Sequence, residues 1–251
     1  MWKQLRIWSF TLAAILLIIA LQATLGTHKV GQKQTVAQKT TSSLPKGVKA
    51  SDWDLVLVNK QHMLKHEMNF PKATLEGKIV DQRIVSAVED FQKGAQQAGY
   101  ATTLVSGYRS IADQTQVFNQ VLQNNEAGGD SYDKALAATK AVVQTPGSSE
   151  HHTGQAIDLA GNDALAKYPG LEGAMDQFAS QKWLIEHAPD YGFILRFPAD
   201  KKGMEETGID YESWHFRYVG VKNAKYMTKH HLTLEAYVKE LNNRAKKQSQ
   251  S

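Results

Sequence analysis

Two stretches of this chain carry the side chains best suited to chemistry: Ser149-Glu-His-His-Thr-Gly-Gln-Ala-Ile-Asp158 and Glu212-Ser-Trp-His-Phe-Arg-Tyr218. Together they offer His151, Asp158 and His215 as nitrogen and oxygen ligands, with Glu212 as a further carboxylate. Two imidazoles and one carboxylate suit a borderline cation such as zinc, and three protein ligands leave a position open for water, as a catalytic site requires. Zinc so held brings the pKa of its water toward neutrality and polarises a neighbouring carbonyl, which is the chemistry of amide hydrolysis. On a helical turn or tight bend Glu212 would share a side with His215, three residues on, and could take the proton of that water. Arg109, on a loop after an expected strand, presents a fork of donors for a carboxylate or a tetrahedral oxyanion.

Each residue has a plainer alternative. A single His is more often a satisfied polar residue than a ligand, and His28, His62, His66, His187, His230 and His231 are read that way. Spacing alone leaves His152 as an alternative to His151. Asp158 lies in an apolar run, where an unpaired carboxylate is costly, so it needs either a cation or an Arg. Arg196 and Arg217 read as surface partners of acids, and Trp214 and Tyr218 as core or pocket wall.

The elements that must position these groups follow from periodicity and punctuation. Trp53 to Asn59 reads as a first strand. Ile84, Val88, Phe91 and Ala95 recur at helical spacing within a helix from Asp81 to Ala98, which Gly99 stops. A strand over Thr102 to Ser106 leads into Gly107-Tyr-Arg-Ser110 and a helix from Ile111 to Leu122; another helix, Ser131 to Gln144, ends at Pro146-Gly147. His151 then sits on a loop entering a strand over Ala156 to Ala160, Asp158 points from that strand to the same face as the small Ala156, and Gly154 lets the backbone bend so that both ligands converge. Beyond it come a helix from Met175 to His187 with Phe178, Trp183 and Leu184 inward, a strand from Tyr191 to Phe197, and a charged loop from Asp200 to Thr207. The last helix, Leu232 to Leu241, gives way to a polar tail over residues 242–251.

With 42% apolar and 22% charged residues, 251 residues imply one globular core with appendages. The absence of cysteine excludes disulfides, thiolate ligands and a thiol nucleophile. The net charge of +4 is spread among nearly as many acids without a basic stripe, so weak attraction to an anionic surface is expected and nucleic acid is not. Lys3 and Arg6 precede an almost unbroken apolar run from Ile7 to Leu25, about the shortest that crosses a bilayer (~17–25 residues). The best cleavage site that follows, Leu21-Gln-Ala23, is poor, so residues 1–26 are expected to anchor the chain, the positive N-terminus inside and everything after Gly26 outside; the alternative is a cleaved export signal that leaves the domain secreted. Residues 27–50, rich in Gln, Thr, Ser and Lys, read as a flexible tether, and residues 51–241 as the folded domain.

The joint pattern Ser149-x-His151-x-x-Gly154-x-Ala156-x-Asp158 with Glu212-x-Trp214-His215-x-Arg217-Tyr218 closely resembles the signature of VanY-type D-alanyl-D-alanine carboxypeptidases, which share a fold with the hedgehog signalling domain. The likeness extends to Ser106-Gly-Tyr-Arg-Ser110 and Tyr191-Gly-Phe-Ile-Leu-Arg-Phe-Pro198, and so covers about Trp53 to Lys239. It implies an α+β fold with a small antiparallel sheet carrying the metal site and helices behind it. It also implies one zinc ion per chain on His151, Asp158 and His215, Glu212 as catalytic base and Arg109 as the cation facing substrate. Ser149, Gln114, Tyr108 and Trp214 complete the substrate-facing set. The implied substrate is the peptidoglycan stem peptide, trimmed of its terminal D-alanine; the chain is expected to act as a monomer on the extracytoplasmic side of the cell membrane. Alternatives are L,D-cleavage of tetrapeptide stems, or a non-catalytic wall-binding or signalling module, for which Glu212 would have no purpose.

Overall fold

The computed structural model describes residues 43–250. The expected anchor and all of the tether before Ser43 lie outside them; among the described residues no helix is long and apolar enough to cross a membrane.

Trp53–Leu55 forms a 3-10 turn in place of the expected first strand. Leu55 is the buried residue of the turn, Val58 and Asn59 are buried just after it, and the segment makes only one bridge, Asn59 to His62. Apolar alternation suggested a strand but could not supply a neighbouring edge. A hairpin absent from the sequence reading follows, β1 (Lys72–Leu75) and β2 (Lys78–Asp81). Glu76 and Gly77 both have positive φ, 48° and 75°, which is the twist a two-residue hairpin turn needs. Glu in place of the usual Asn or Asp concealed it.

Helix α1 (Val85–Gln97) begins later than expected, after a 3-10 turn at Gln82–Ile84 whose cap is the Asp81 carboxylate. Strand β3 (Thr102–Ser106) stands where it was expected. Helix α2 (Ile111–Ala127), capped by Ser110, runs past Leu122, and α3 (Tyr132–Val142) follows it. Next come β4 (Ala156–Gly161) and the short α4 (Asn162–Lys167). The helix expected over Met175 to His187 is divided into a 3-10 turn, Gly173–Gln177, and α5 (Ala179–His187). Strand β5 (Phe193–Phe197) precedes α6 (Lys201–Thr207), which replaces the expected charged loop. Asp200 caps α6 through the Gly203 N–H, and Lys201–Glu205 and Lys202–Glu206 pair one turn apart. Strand β6 (Glu212–Tyr218), α7 (Val221–Lys229) and α8 (Leu234–Ser249) complete the chain.

The main sheet has the order β3-β4-β6-β5, antiparallel throughout, so the fold is α+β. Alternate strand residues Leu104, Ile157, Leu159, Phe193 and Phe216 meet Val88, Phe91 and Ala95 of α1 and Leu184 of α5 in one core. The intervening residues, among them Asp158, Ile194, Arg196, His215 and Arg217, face the other way. On that side Ile194 joins Val219, Met227, Leu234, Tyr237 and Leu241 in a second cluster.

Both ends of the folded unit extend beyond the limits set by composition. Leu44, Val48 and Ala50, expected in the tether, pack against the α7–α8 cluster, and Arg244 donates to the carbonyls of Pro45 and Val48. The expected polar tail continues as helix to Ser249. Its Arg, Ala, Lys and Gln residues are good helix formers, and Tyr237 and Leu241 anchor the preceding turns.

Candidate active site

The site lies on the sheet face opposite α1. Antiparallel register places Asp158 directly across from His215 on one side and Ser106 on the other, so three strands contribute neighbouring side chains to one row. His151 reaches this row from the 3-10 turn Glu150–Thr153, which Gly154 ends with φ +67° before β4 begins. Positive φ costs glycine nothing, and the turn brings His151 back over its own strand.

The three expected ligands meet: His151, Asp158 and His215 each offer an atom within 4.8 Å of the others, and all three are buried. His151 Nε2 lies 3.4 Å from Asp158 Oδ2, and His215 Nδ1 lies 3.2 Å from Asp158 Oδ1. The other nitrogen of His151 bonds the Gly107 carbonyl at 2.7 Å, which leaves Nε2 with its lone pair toward the cluster. Asp158 Oδ1 is buried without a hydrogen-bond partner, a costly arrangement unless a cation takes that lone pair.

Electrostatics agree. Burial favours neutral His151 and pulls its pKa below the ordinary value, against Asp158. Burial would raise Asp158, but His151 and His215 hold it well below the usual carboxylate range. Burial likewise opposes a charge on His215, yet Asp158 and Glu150 prevail and push its imidazole up to about 9. The cluster therefore favours positive charge at its centre, as a cation site must. The donor set fits a divalent metal of zinc type with a position left open.

Glu212 Oε2 is 3.5 Å from His215 Nδ1. The expectation of a helical turn is incorrect: both residues belong to β6. Residues three apart on a regular strand face opposite ways, and a bulge resolves this. Leu195 pairs with Phe216 and Phe197 with Glu212, so β6 spends four residues where β5 spends two, and across this register break the regular alternation is lost and Glu212 stands beside His215. Burial first, and Asp158 with it, push the Glu212 carboxyl up to about 7 against the pull of His215.

Arg109 enters the same groove, which has a volume of about 510 Å³. Its guanidinium donates to Gln114 Oε1 at 2.9 Å and Ser106 Oγ at 3.3 Å, both neutral, so its charge stays available to a ligand. Gln114 lines the groove, but its amide is occupied at both ends, since Nε2 donates to the Gln144 carbonyl at 2.6 Å. It holds Arg109 rather than offering a free donor to substrate. Ser149 and Trp214 also line the groove. Tyr108 stands apart from it: its hydroxyl donates to Glu67, and its ring lies under Lys72.

His152 points away from the ligand cluster. Its Nδ1 pairs with the Arg109 carbonyl at 2.7 Å, and its Nε2 accepts from Gly147 N–H at 3.1 Å. Arg196 and Arg217, expected at the surface, are 1% and 0% exposed, and both bind Glu150, itself buried behind His215. Sequence reasoning passed over Glu150, because an acid in a polar turn ordinarily faces solvent. Its position beside His151 was the only available signal.

The profile of the D-alanyl-D-alanine carboxypeptidase (VanY) family matches residues 77–221. A D-alanyl-D-alanine carboxypeptidase of Enterococcus faecalis is 31% identical over 188 residues, 74% of this chain and 66% of that one. A variant of the vancomycin-resistance D,D-pentapeptidase VanY, solved in complex with Zn(II), superposes with a TM-score of 0.65 at 31% identity, covering 74% of this chain and 99% of the other. The LD-carboxypeptidase LdcB superposes with a TM-score of 0.59 at 30% identity, covering 78% and 92%.

Proposed function

This chain belongs to the VanY family of D-alanyl-D-alanine carboxypeptidases, and from that premise we propose that it is a zinc carboxypeptidase releasing the terminal D-alanine of peptidoglycan stem pentapeptides. The observation that carries the reading is the meeting of His151, Asp158 and His215 on one sheet face, with Glu212 alongside, in a groove that also holds Arg109. His151, Asp158 and His215 hold the metal. Zinc bound there supplies Lewis acidity toward the scissile carbonyl and the attacking water. Glu212 takes a proton from that water and returns it to the departing amine of D-alanine, the two transfers of a general base that then acts as general acid.

Arg109, held by Gln114 and Ser106, faces the groove and binds a carboxylate or an oxyanion of the substrate. Ser149 and Trp214 form adjoining wall. A cation dedicated to a free terminal carboxylate is left unpaired by an internal peptide, which disfavours endopeptidase activity. The full chain is read as a monomer outside the membrane, held there by residues 1–26; the support is Lys3, Arg6 and the apolar run after them.

The likeness to LdcB supports a second reading, L,D-cleavage of tetrapeptide stems in the same groove. Mass spectrometry of synthetic stems separates the two. Loss of one D-alanine from the pentapeptide, abolished by chelation and restored by zinc, is expected; loss from the tetrapeptide alone overturns the D,D reading.

A further inference from the structure

Behind His215 lies a charged assembly that the hydrolytic steps leave unused. Glu150 is 2% exposed and meets two guanidiniums from neighbouring strands, Arg196 Nε at 2.9 Å and Arg217 Nη1 at 3.1 Å. Both approach the same atom, Oε1. The second oxygen, Oε2, accepts no hydrogen bond and faces Nε2 of His215 at 3.8 Å. That nitrogen also has no hydrogen-bond partner. Two buried polar atoms thus stand opposite each other, slightly beyond bonding distance, and each would pay for desolvation if left alone.

We propose that Glu150 is a positioning residue for His215: its Oε2 accepts the Nε2–H of the imidazole, which leaves the Nδ1 lone pair directed at the cation. The inference rests on the zinc reading of the site. His151 obtains the equivalent constraint from the Gly107 carbonyl, so each ligand imidazole has one nitrogen committed to the protein and one to the metal. Glu150 is not itself a ligand, because it meets the edge of His215 opposite the one that faces Asp158. The two arginines hold its carboxylate in place. Arg196 is held in turn by Glu235 of α8 at 2.6 Å, which ties the last helix to the metal face. Two acids and two arginines balance in formal charge. Removing the charge of Glu150 leaves an uncompensated cation behind a ligand that must attract another cation.

The test is zinc affinity of the full-length protein, measured by competition with a chelating dye, for wild type, Glu150→Gln, Glu235→Gln and His215→Ala. Glu150→Gln is expected to weaken zinc binding about 10–100-fold, the range found for partners that orient ligands. Glu235→Gln removes the other acid of the same assembly, 16% exposed at its side chain against 1% for Glu150, without touching His215, and is expected to change affinity less than about threefold. Equal loss in the two variants, or none in Glu150→Gln, overturns the positioning role. Undiminished binding by His215→Ala overturns the metal reading instead.

If Glu150→Gln fails to fold, nitrogen NMR of the zinc-loaded wild type decides. The proposal requires a protonated, hydrogen-bonded Nε2 on His215 and metal at Nδ1; metal at Nε2 refutes it.

Discussion

Gly154→Ala tests whether the turn that joins His151 to Asp158 is as tightly specified as the coordinates imply. Gly154 has φ +67° and ψ 5°, a conformation that costs a residue with a Cβ about 1–2 kcal/mol. An added Cβ would also stand 2.5 and 2.7 Å from Cε2 and Cζ of Phe70 and 3.0 Å from the Asp81 backbone nitrogen. Phe70 is 7% exposed and packed edge-on against Tyr108, so its ring cannot swing aside freely, and the Asp81 N–H is committed to the Gly154 carbonyl at 2.9 Å. Overpacking of this kind costs about 1–3 kcal/mol, giving about 2–5 kcal/mol in all, a large share of the about 5–15 kcal/mol that keeps a domain folded. Urea unfolding of the metal-free protein measures it. Phe70→Leu removes the two clashing ring atoms and leaves the Asp81 contact, so in that background Gly154→Ala is expected to cost less, about 1–3 kcal/mol. A loss below about 1 kcal/mol in the wild-type background, or the same loss in both, refutes the reasoning.

Three further outcomes follow from the same geometry. Glu212→Gln is expected to lower kcat about 10²–10⁴-fold with zinc still bound; because the base must be ionised to accept a proton, wild-type activity falls as pH drops through its pKa, and a bound cation lowers that value below the about 7 of the metal-free site, so an acid limb centred above 7 contradicts the assignment. His152→Ala strips partners from the Arg109 carbonyl and the Gly147 N–H, a loss of about 1–3 kcal/mol for each group left buried, while zinc titration should show no change in affinity. Gln114→Leu frees Arg109 from its 2.9 Å acceptor and should lower kcat/KM about 10–100-fold, the equivalent of one hydrogen bond to a charged group, again with zinc affinity intact.

The site was legible where chemistry sits in a local pattern. His151, Gly154 and Asp158 fall within one turn-and-strand unit, and the small Ala156 beside Asp158 marked the face on which a metal could fit. His215 could be paired with them only because its neighbours Glu212 and Trp214 completed a known signature. The cross-strand register that sets it opposite Asp158 depends on hydrogen bonds between segments far apart in the chain. The bulge in β6 was likewise invisible, since it arises from the mismatch with β5 and no residue of Glu212-Ser-Trp-His announces it.

Elsewhere, local pattern and tertiary demand parted. Lys201-Lys-Gly-Met-Glu-Glu-Thr207 looked like a charged loop, yet its i,i+4 Lys–Glu pairs and Asp200 cap are helix signals in plain view. Glu150 is a harder case. No property of Ser149-Glu150-His151 distinguishes a solvated turn acid from a buried one; the distinction comes from Arg196 and Arg217, 46 and 67 residues further on, which read singly as surface cations. Buried charge is stable only when its partners arrive together, so such a group is defined by the fold and cannot be recognised one residue at a time. That dependence also makes Glu150 informative: an acid placed at this cost, with one oxygen committed to two arginines and the other directed at a ligand imidazole, serves the ligand as well as the core.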